Sequence, residues 1–250
     1  HAEERLQAEG LGIKMAAARG PMVTAGWVMG ISDLMMGLVN QPQLIQRFLD
    51  TVTTTIIRWL HAQLEQLRQP EGIMLLDDIV GMVSVEHYQE FVAPHLRRIF
   101  DEFEGLIRIY HNDTPCAHLY PALAEANFDV FNFSHKADIG QVKATMGRRL
   151  ALMGNVPPLE VGVRESPEGV ARWAKSCLDK AAPGGGLILS VGGGVSPGMP
   201  AENIEAMLAA ARDWTKPSPA ELAALHEVHD AATNLIDEDK PARRRSRRDR

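Results

Sequence analysis

His111-Asn112-Asp113, with Cys116 three residues further on, is the densest group of chemically able side chains in this 250-residue sequence. The stretch before it, Leu106 to Tyr110, is largely apolar and of strand length, so alternation puts His111 and Asp113 on one face at the strand's end. An imidazole and a carboxylate on one face can share a metal ion, with Cys116 a third ligand of suitable type. The same pair can also work without metal, as a hydrogen-bonded couple that orients a substrate and moves a proton.

Asp77-Asp78 closes another apolar run, Ile73 to Leu76. Successive strand residues face opposite ways, so one aspartate looks into the site and the other caps the following turn. Asn155 stands near the end of a further run and offers a ligand both a donor and an acceptor, although an Asn before Val156-Pro157-Pro158 can equally form a turn. The apolar run Leu187 to Val191 breaks into Gly192-Gly193-Gly194, where absent Cβ atoms would let backbone N–H groups line a pocket. Asp77, His111, Asp113, Asn155 and Gly193 are therefore expected at or just past strand ends, around one cavity.

The elements that must carry these residues alternate in type. Strand-like runs fall at Met22 to Ala25, Ile73 to Asp77, Leu106 to Tyr110, Val130 to Phe133, Leu150 to Met153 and Leu187 to Ser190. Between them, Leu44, Phe48, Val52, Ile56, Leu60 and Leu64 form one helical stripe, and Tyr88, Phe91, Val92, Leu96, Ile99 and Phe103 another. Val170, Trp173, Ala174, Cys177 and Leu178 form a third, which makes Cys177 a core residue. Ser84 and Ser166 read as helix caps, the second with Pro167 at the first helical position. Strands alternating with helices predict an α/β fold with a parallel sheet.

Hydrophobic residues make up 45% of the chain, enough for a sizeable core, and no run approaches the twenty apolar residues of a membrane span. Two cysteines do not make a disulfide framework, and the cytoplasm is the expected compartment. The chain opens on His1 and is expected to be a fragment or a processed form. The net charge of −6 hides an asymmetry: Lys240 to Arg250 carries seven Lys/Arg against one Asp, leaving about −12 on the remainder. With no aromatics and no apolar period, that basic run reads as a solvated end, and nucleic acid is not an expected partner. The expected organisation is a body over 1–214, a helical appendage over 215–238 and a basic disordered tail over 239–250.

Five sequence pieces, in this order and spacing, carry a resemblance. They are Gly20-Pro21-Met22-Val23-Thr24; Asp77 to Ser84 with Tyr88, Phe91 and Pro94; His111-Asn112-Asp113; Gly154-Asn155-Val156-Pro157-Pro158; and the glycine loop followed by Pro200-Ala201-Glu202-Asn203-Ile204. From Gly20 to Trp214 the chain resembles the uroporphyrinogen decarboxylase superfamily, which also contains cobalamin-dependent methyltransferases. The resemblance implies a (βα)8 TIM barrel. Only six strands are legible, so the first two βα units would precede His1. His1 to Arg19 is then expected as a helix left from the preceding unit, with Leu6, Leu11 and Met15 facing the body.

The resemblance also bears on the site. Where a decarboxylase would carry a catalytic tyrosine this chain has Trp27, and where it would carry a histidine in the last loop it has Gly193. The methyltransferases place His-x-Cys at a strand end and a further Cys in the last loop, together holding zinc; here the first motif reads His111-Asn112-Asp113 and the second is absent. Asp77, Asp78, Glu86 or Cys116 would have to supply the third ligand. By resemblance, then, Asp77, His111 and Asp113 are the catalytic candidates, with Asp77 placed near substrate. Trp27, Asp78, Asn155, Gly192, Gly193 and Gly194 are the substrate-binding candidates, and His111, Asp113 and Cys116 the zinc candidates. The activity so implied is methyl transfer with methylcobalamin supplied by a corrinoid-binding partner protein, acting on a small methyl donor or acceptor in a possible homo-oligomer. The alternatives are uroporphyrinogen decarboxylation, a lyase step of porphyrin biosynthesis, and a barrel that binds a ligand without catalysis.

Overall fold

The computed structural model describes residues 5, 6 and 8–215. The expected C-terminal helix and basic tail lie outside the described residues. Six parallel strands pair in sequence order: β1 (Met15–Arg19), β2 (Gly72–Leu76), β3 (Ile107–Asn112), β4 (Val130–Phe133), β5 (Ala151–Val156) and β6 (Leu187–Val191). After β1 come α1 (Pro21–Met29), α2 (Ile31–Asn40) and α3 (Pro42–Leu64); after β2, α4 (Val85–His87) and α5 (Ala93–Glu102). The short α6 (Tyr120–Leu123), then α7 (Ile139–Met146), α8 (Pro167–Ala181) and α9 (Ala201–Asp213) follow β3, β4, β5 and β6 in turn. The fold is α/β, six strands of a βα barrel, and β1 and β6 are edges not paired with each other. Among the described residues no single helix is long and apolar enough to cross a membrane.

Strand register explains how one sheet serves both core and site. Ala18, Leu75, Tyr110, Phe131 and Leu152 are partners across β1 to β5, and all are buried against the helices. Phe100 and Phe128 complete an aromatic cluster on Tyr110 and Phe131. Full burial of each such ring contributes about 2–3 kcal/mol. One residue further along every strand the side chains point the other way. That row is Arg19, Leu76, His111, Asn132, Met153 and Ile188, and it crosses the whole sheet near its C-terminal end.

The first strand differs from expectation. Met22 to Ala25 lies in α1, and the strand is Met15–Arg19, so the helix expected over His1 to Arg19 is not present at its C-terminal end. Two causes combine. Pro21 at the first helical position starts a helix, and α1 is buried at Met22, Val23 and Ala25, so its apolar run lacks the period that would separate it from a buried strand. Met-Ala-Ala-Ala-Arg, in turn, carries almost no contrast between its two faces, although Ala16 and Ala18 are buried and Ala17 and Arg19 are not. Leu11 is exposed.

Other elements lie close to expectation. α3 buries Ile45, Leu49, Val52, Ile56 and Leu60 rather than Leu44, which is exposed. A π-helical turn over Tyr88–Val92 leads into α5. Ser84 and Ser166 accept from the backbone N–H of His87 and Gly169 as caps. Cys177 is buried on α8 with Val170, Ala174 and Leu178, whereas Trp173 is exposed.

Candidate functional site

The two aspartates after β2 take opposite roles, the reverse of the expected ones. Asp77 is fully buried and faces α1, accepting from the backbone N–H of Val23 (2.7 Å) and Met22 (3.2 Å). It caps α1 in place of Gly20, whose missing Cβ leaves room for the carboxylate. Burial pushes the Asp77 carboxyl up to about 7, against the pull of those two backbone donors.

Asp78 instead faces the open end of the sheet. Its Oδ1 accepts from the backbone N–H of Asp113 (2.9 Å) and lies 3.4 Å from His111 Nε2. The backbone beneath it is held from the next strand. Asn112 Nδ2 donates to the Asp77 carbonyl (3.2 Å), and the Thr114 hydroxyl lies 2.6 Å from the Asp78 carbonyl. Gly81 admits that hydroxyl, because a Cβ there would overlap it.

His111 is the centre of the group. Its Nδ1 is 2.5 Å from Asn132 Oδ1, the neighbouring residue of the inward row. Asn132 Nδ2 donates to the Met153 carbonyl (2.9 Å), which fixes the amide orientation, so the oxygen is the acceptor and Nδ1 carries the proton. Nε2 is thereby aimed at the mouth, 3.4 Å from Asp78 Oδ1 and 3.6 Å from Asp113 Oδ2. Both separations exceed a strong hydrogen bond, so the carboxylates surround Nε2 and leave it able to take or give a proton. Sequence reasoning missed Asn132. Its signal was a lone amide inside the fully buried strand Val-Phe-Asn-Phe.

The glycine loop closes the group from β6. A Cβ on Gly193 would lie 2.5 Å from Asp113 Oδ2, and the residue has φ +85°. Gly192 is equally constrained, by the His135 backbone, but its N–H donates to the Val156 carbonyl and extends the β5–β6 ladder instead of facing a ligand. Gly194 borders open space.

Asn155 and Cys116 sit elsewhere. Asn155 lies within β5, and its Nδ2 donates to the carbonyls of Ser134 (3.2 Å) and Ala137 (2.8 Å), which leaves it no free side-chain donor. Cys116 is buried and lines a separate cavity of about 240 Å³ with Tyr120, Phe133 and Gln141. Burial pushes its thiol up to about 12, far from thiolate character. Trp27 is exposed and stacks under the Arg19 guanidinium, 5.2 Å from ring centroid to Cζ. Glu86 is in the first turn of α4. Among the described residues no three His, Cys, Asp or Glu side chains are disposed to hold a metal ion. The set His111, Asp113 and Cys116 therefore does not fit zinc.

Asp78, His111 and Asp113 stand at the C-terminal strand ends of the sheet, the face on which βα barrels build their sites. The chain belongs to the uroporphyrinogen decarboxylase (URO-D) family, whose sequence model matches residues 12–214. It is 27% identical over 185 residues to a uroporphyrinogen decarboxylase of Azoarcus sp. (strain BH72), covering 71% of this chain and 50% of that one. Against a uroporphyrinogen decarboxylase of Mannheimia succiniciproducens the identity is 24% over 204 residues, 78% of this chain and 56% of the other. The chain thus spans about half the length of the curated relatives it matches. Among solved structures, a methyltransferase from Methanosarcina mazei shares the fold with TM-score 0.75 at 20% identity, over 84% of this chain and 62% of that chain.

Proposed function

We propose that this chain acts in corrinoid-dependent methyl transfer as a member of the URO-D family, with His111 as its proton-handling residue. The observation that carries the reading is the approach of Asp113 to Gly193. Position 193 is where a decarboxylase resembling this chain would carry a histidine, and Asp113 Oδ2 lies 2.5 Å from where that side chain would begin. Position 27, where the tyrosine would stand, holds an indole turned onto Arg19. The proton chemistry is thus concentrated on β2 and β3, and the methyltransferase name of the structural neighbour agrees with it.

A corrinoid on a partner protein would supply the methyl carrier. The chain's own work is to bind the small substrate and manage one proton. When a methyl group leaves an oxygen, nitrogen or sulfur atom, the carbon–heteroatom bond breaks with its electron pair on the heteroatom, which takes a proton from Nε2. In the other direction Nε2 removes the proton of the acceptor. Asn132 keeps the ring in the orientation that exposes Nε2. Asp78 and Asp113 stabilise the imidazolium in either case. His111, Asp113 and Cys116 do not assemble as a zinc ligand set among the described residues, so no step is assigned to that metal.

The test uses the full chain with cobalamin and a panel of methyl ethers, methylamines and methyl thioethers, following the cobalamin absorption spectrum. Methylation or demethylation of cobalamin is the expected result. Release of carbon dioxide from uroporphyrinogen, with no change in cobalamin, would overturn it.

A further inference from the structure

We infer that Arg19, held against the Trp27 indole, binds a carboxylate of the small-molecule substrate and makes the site selective for an organic acid. This rests on the reading of the strand-end site given above and names its substrate class. Arg19 is the β1 member of the inward row that contains His111, with Leu76 between them. Two strand spacings separate the two Cα atoms, about 10 Å, the span of a small organic molecule.

The guanidinium is oriented but not used up. Its Nη1 lies 3.7 Å from Asp78 Oδ2, an ion pair too long for a hydrogen bond, and no hydrogen bond from the guanidinium is present among the described residues. The guanidinium carbon lies over the indole, 5.2 Å from its centroid, and its N–H groups have no hydrogen-bond partner among the described residues, so they are available to take a carboxylate through two parallel bonds. Asp78 therefore ties the two ends of the site together, one oxygen toward Arg19 and the other 3.4 Å from His111 Nε2. The charge balance points the same way. Asp78 and Asp113 would repel an anion from the mouth, and Arg19 is the cation that faces Asp78 there. The guanidinium is partly exposed, with 43% of its side-chain surface accessible, so an incoming acid can reach it.

The test compares benzoate with benzamide, near-isosteres that differ in charge, by ligand-observed NMR titration of the full chain. Benzoate is expected to bind about tenfold more tightly or better. Arg19→Gln should erase that preference and leave benzamide unchanged, while Arg19→Lys, which keeps the charge but loses the fork, should retain part of it. Equal binding of the two probes to the parent chain overturns the inference. So does a preference that survives Arg19→Gln, or inorganic phosphate competing as well as benzoate. Benzoate selectivity without methyl transfer to any donor would keep the acid site and remove the proposed chemistry. Methyl transfer equally fast from neutral and anionic donors, and indifferent to Arg19→Gln, would do the opposite.

Discussion

Asp77 and Asp78 are adjacent and chemically identical, and the fold separates them by which side of the strand end each faces. Asp77, buried against α1, does a structural task whose pH dependence can be measured. An unfolded Asp titrates near 3.8, and burial raises the folded group to about 7. Between these values the folded chain holds a proton the unfolded chain has released, so the Asp77 contribution to stability is largest below about pH 4, falls as pH rises to about 7, and levels off above it. At about 1.4 kcal/mol per unit, the full window amounts to roughly 4 kcal/mol. Asp77→Asn should cost about 1 kcal/mol at low pH by losing one acceptor, and should flatten the profile. Urea midpoints of the two chains measured between pH 4.5 and 8 check this; parallel curves would show that Asp77 does not titrate there. His111 belongs to the same scale but to activity. His111→Gln keeps a donor toward Asn132 and removes the proton carrier, so methyl transfer should drop by about 10²–10⁴ while melting stays within a few degrees. Unchanged turnover would move the chemistry to another residue.

At the scale of elements, legibility followed the strength of local signals. Val130–Phe133 is four buried residues between turns and was readable to its ends, as was the Ser166-Pro167 start of α8. β1 was unreadable because alanine carries no pattern, and α1 was misread because a short buried helix and a short buried strand are both simply apolar. The His111 and Asp113 pairing was legible from alternation alone. Asn132 and Arg19 were not, because their importance lies in parallel register, a long-range property that no spacing within one strand reveals. Capping gives an element-scale prediction. Asp138 caps α7 by accepting from the Gln141 N–H (3.0 Å) and also pairs with Lys180 of α8 (2.9 Å). Asp138→Ala should cost about 1–2 kcal/mol, or roughly 3–6 °C in Tm, and Asp138→Asn, which keeps the cap, less than half of that. Equal losses for the two would assign the effect to the ion pair with Lys180.

At the scale of the whole molecule, the sheet's two edges stand out. Among the described residues β1 and β6 each have one strand partner; on the free side of β1 the Gln63 amide pairs with the Ala17 N–H and carbonyl, and β6 has no such side-chain cover. The surface beside β1 is partly apolar. Val28 and Trp59 are 70% and 58% exposed, and with Ala18, Val52, Ile56, three threonines and Arg19 they line a groove of about 340 Å³. On the inward face at the other edge, Ile188 is 45% exposed. Folded proteins avoid open apolar edges by charge, by cover or by closing the barrel, and β6 has no charged residue of its own to deter pairing. The 250-residue chain is therefore expected to self-associate in a concentration-dependent way through these edges. Ile188→Lys should shift it toward monomer, because a second strand could then pair only by burying the ammonium. Sedimentation of the two chains across a hundredfold range of concentration is the check. A parent chain that stays monomeric throughout and melts cooperatively would mean that the edges are covered within the molecule, and Ile188→Lys would then change neither property.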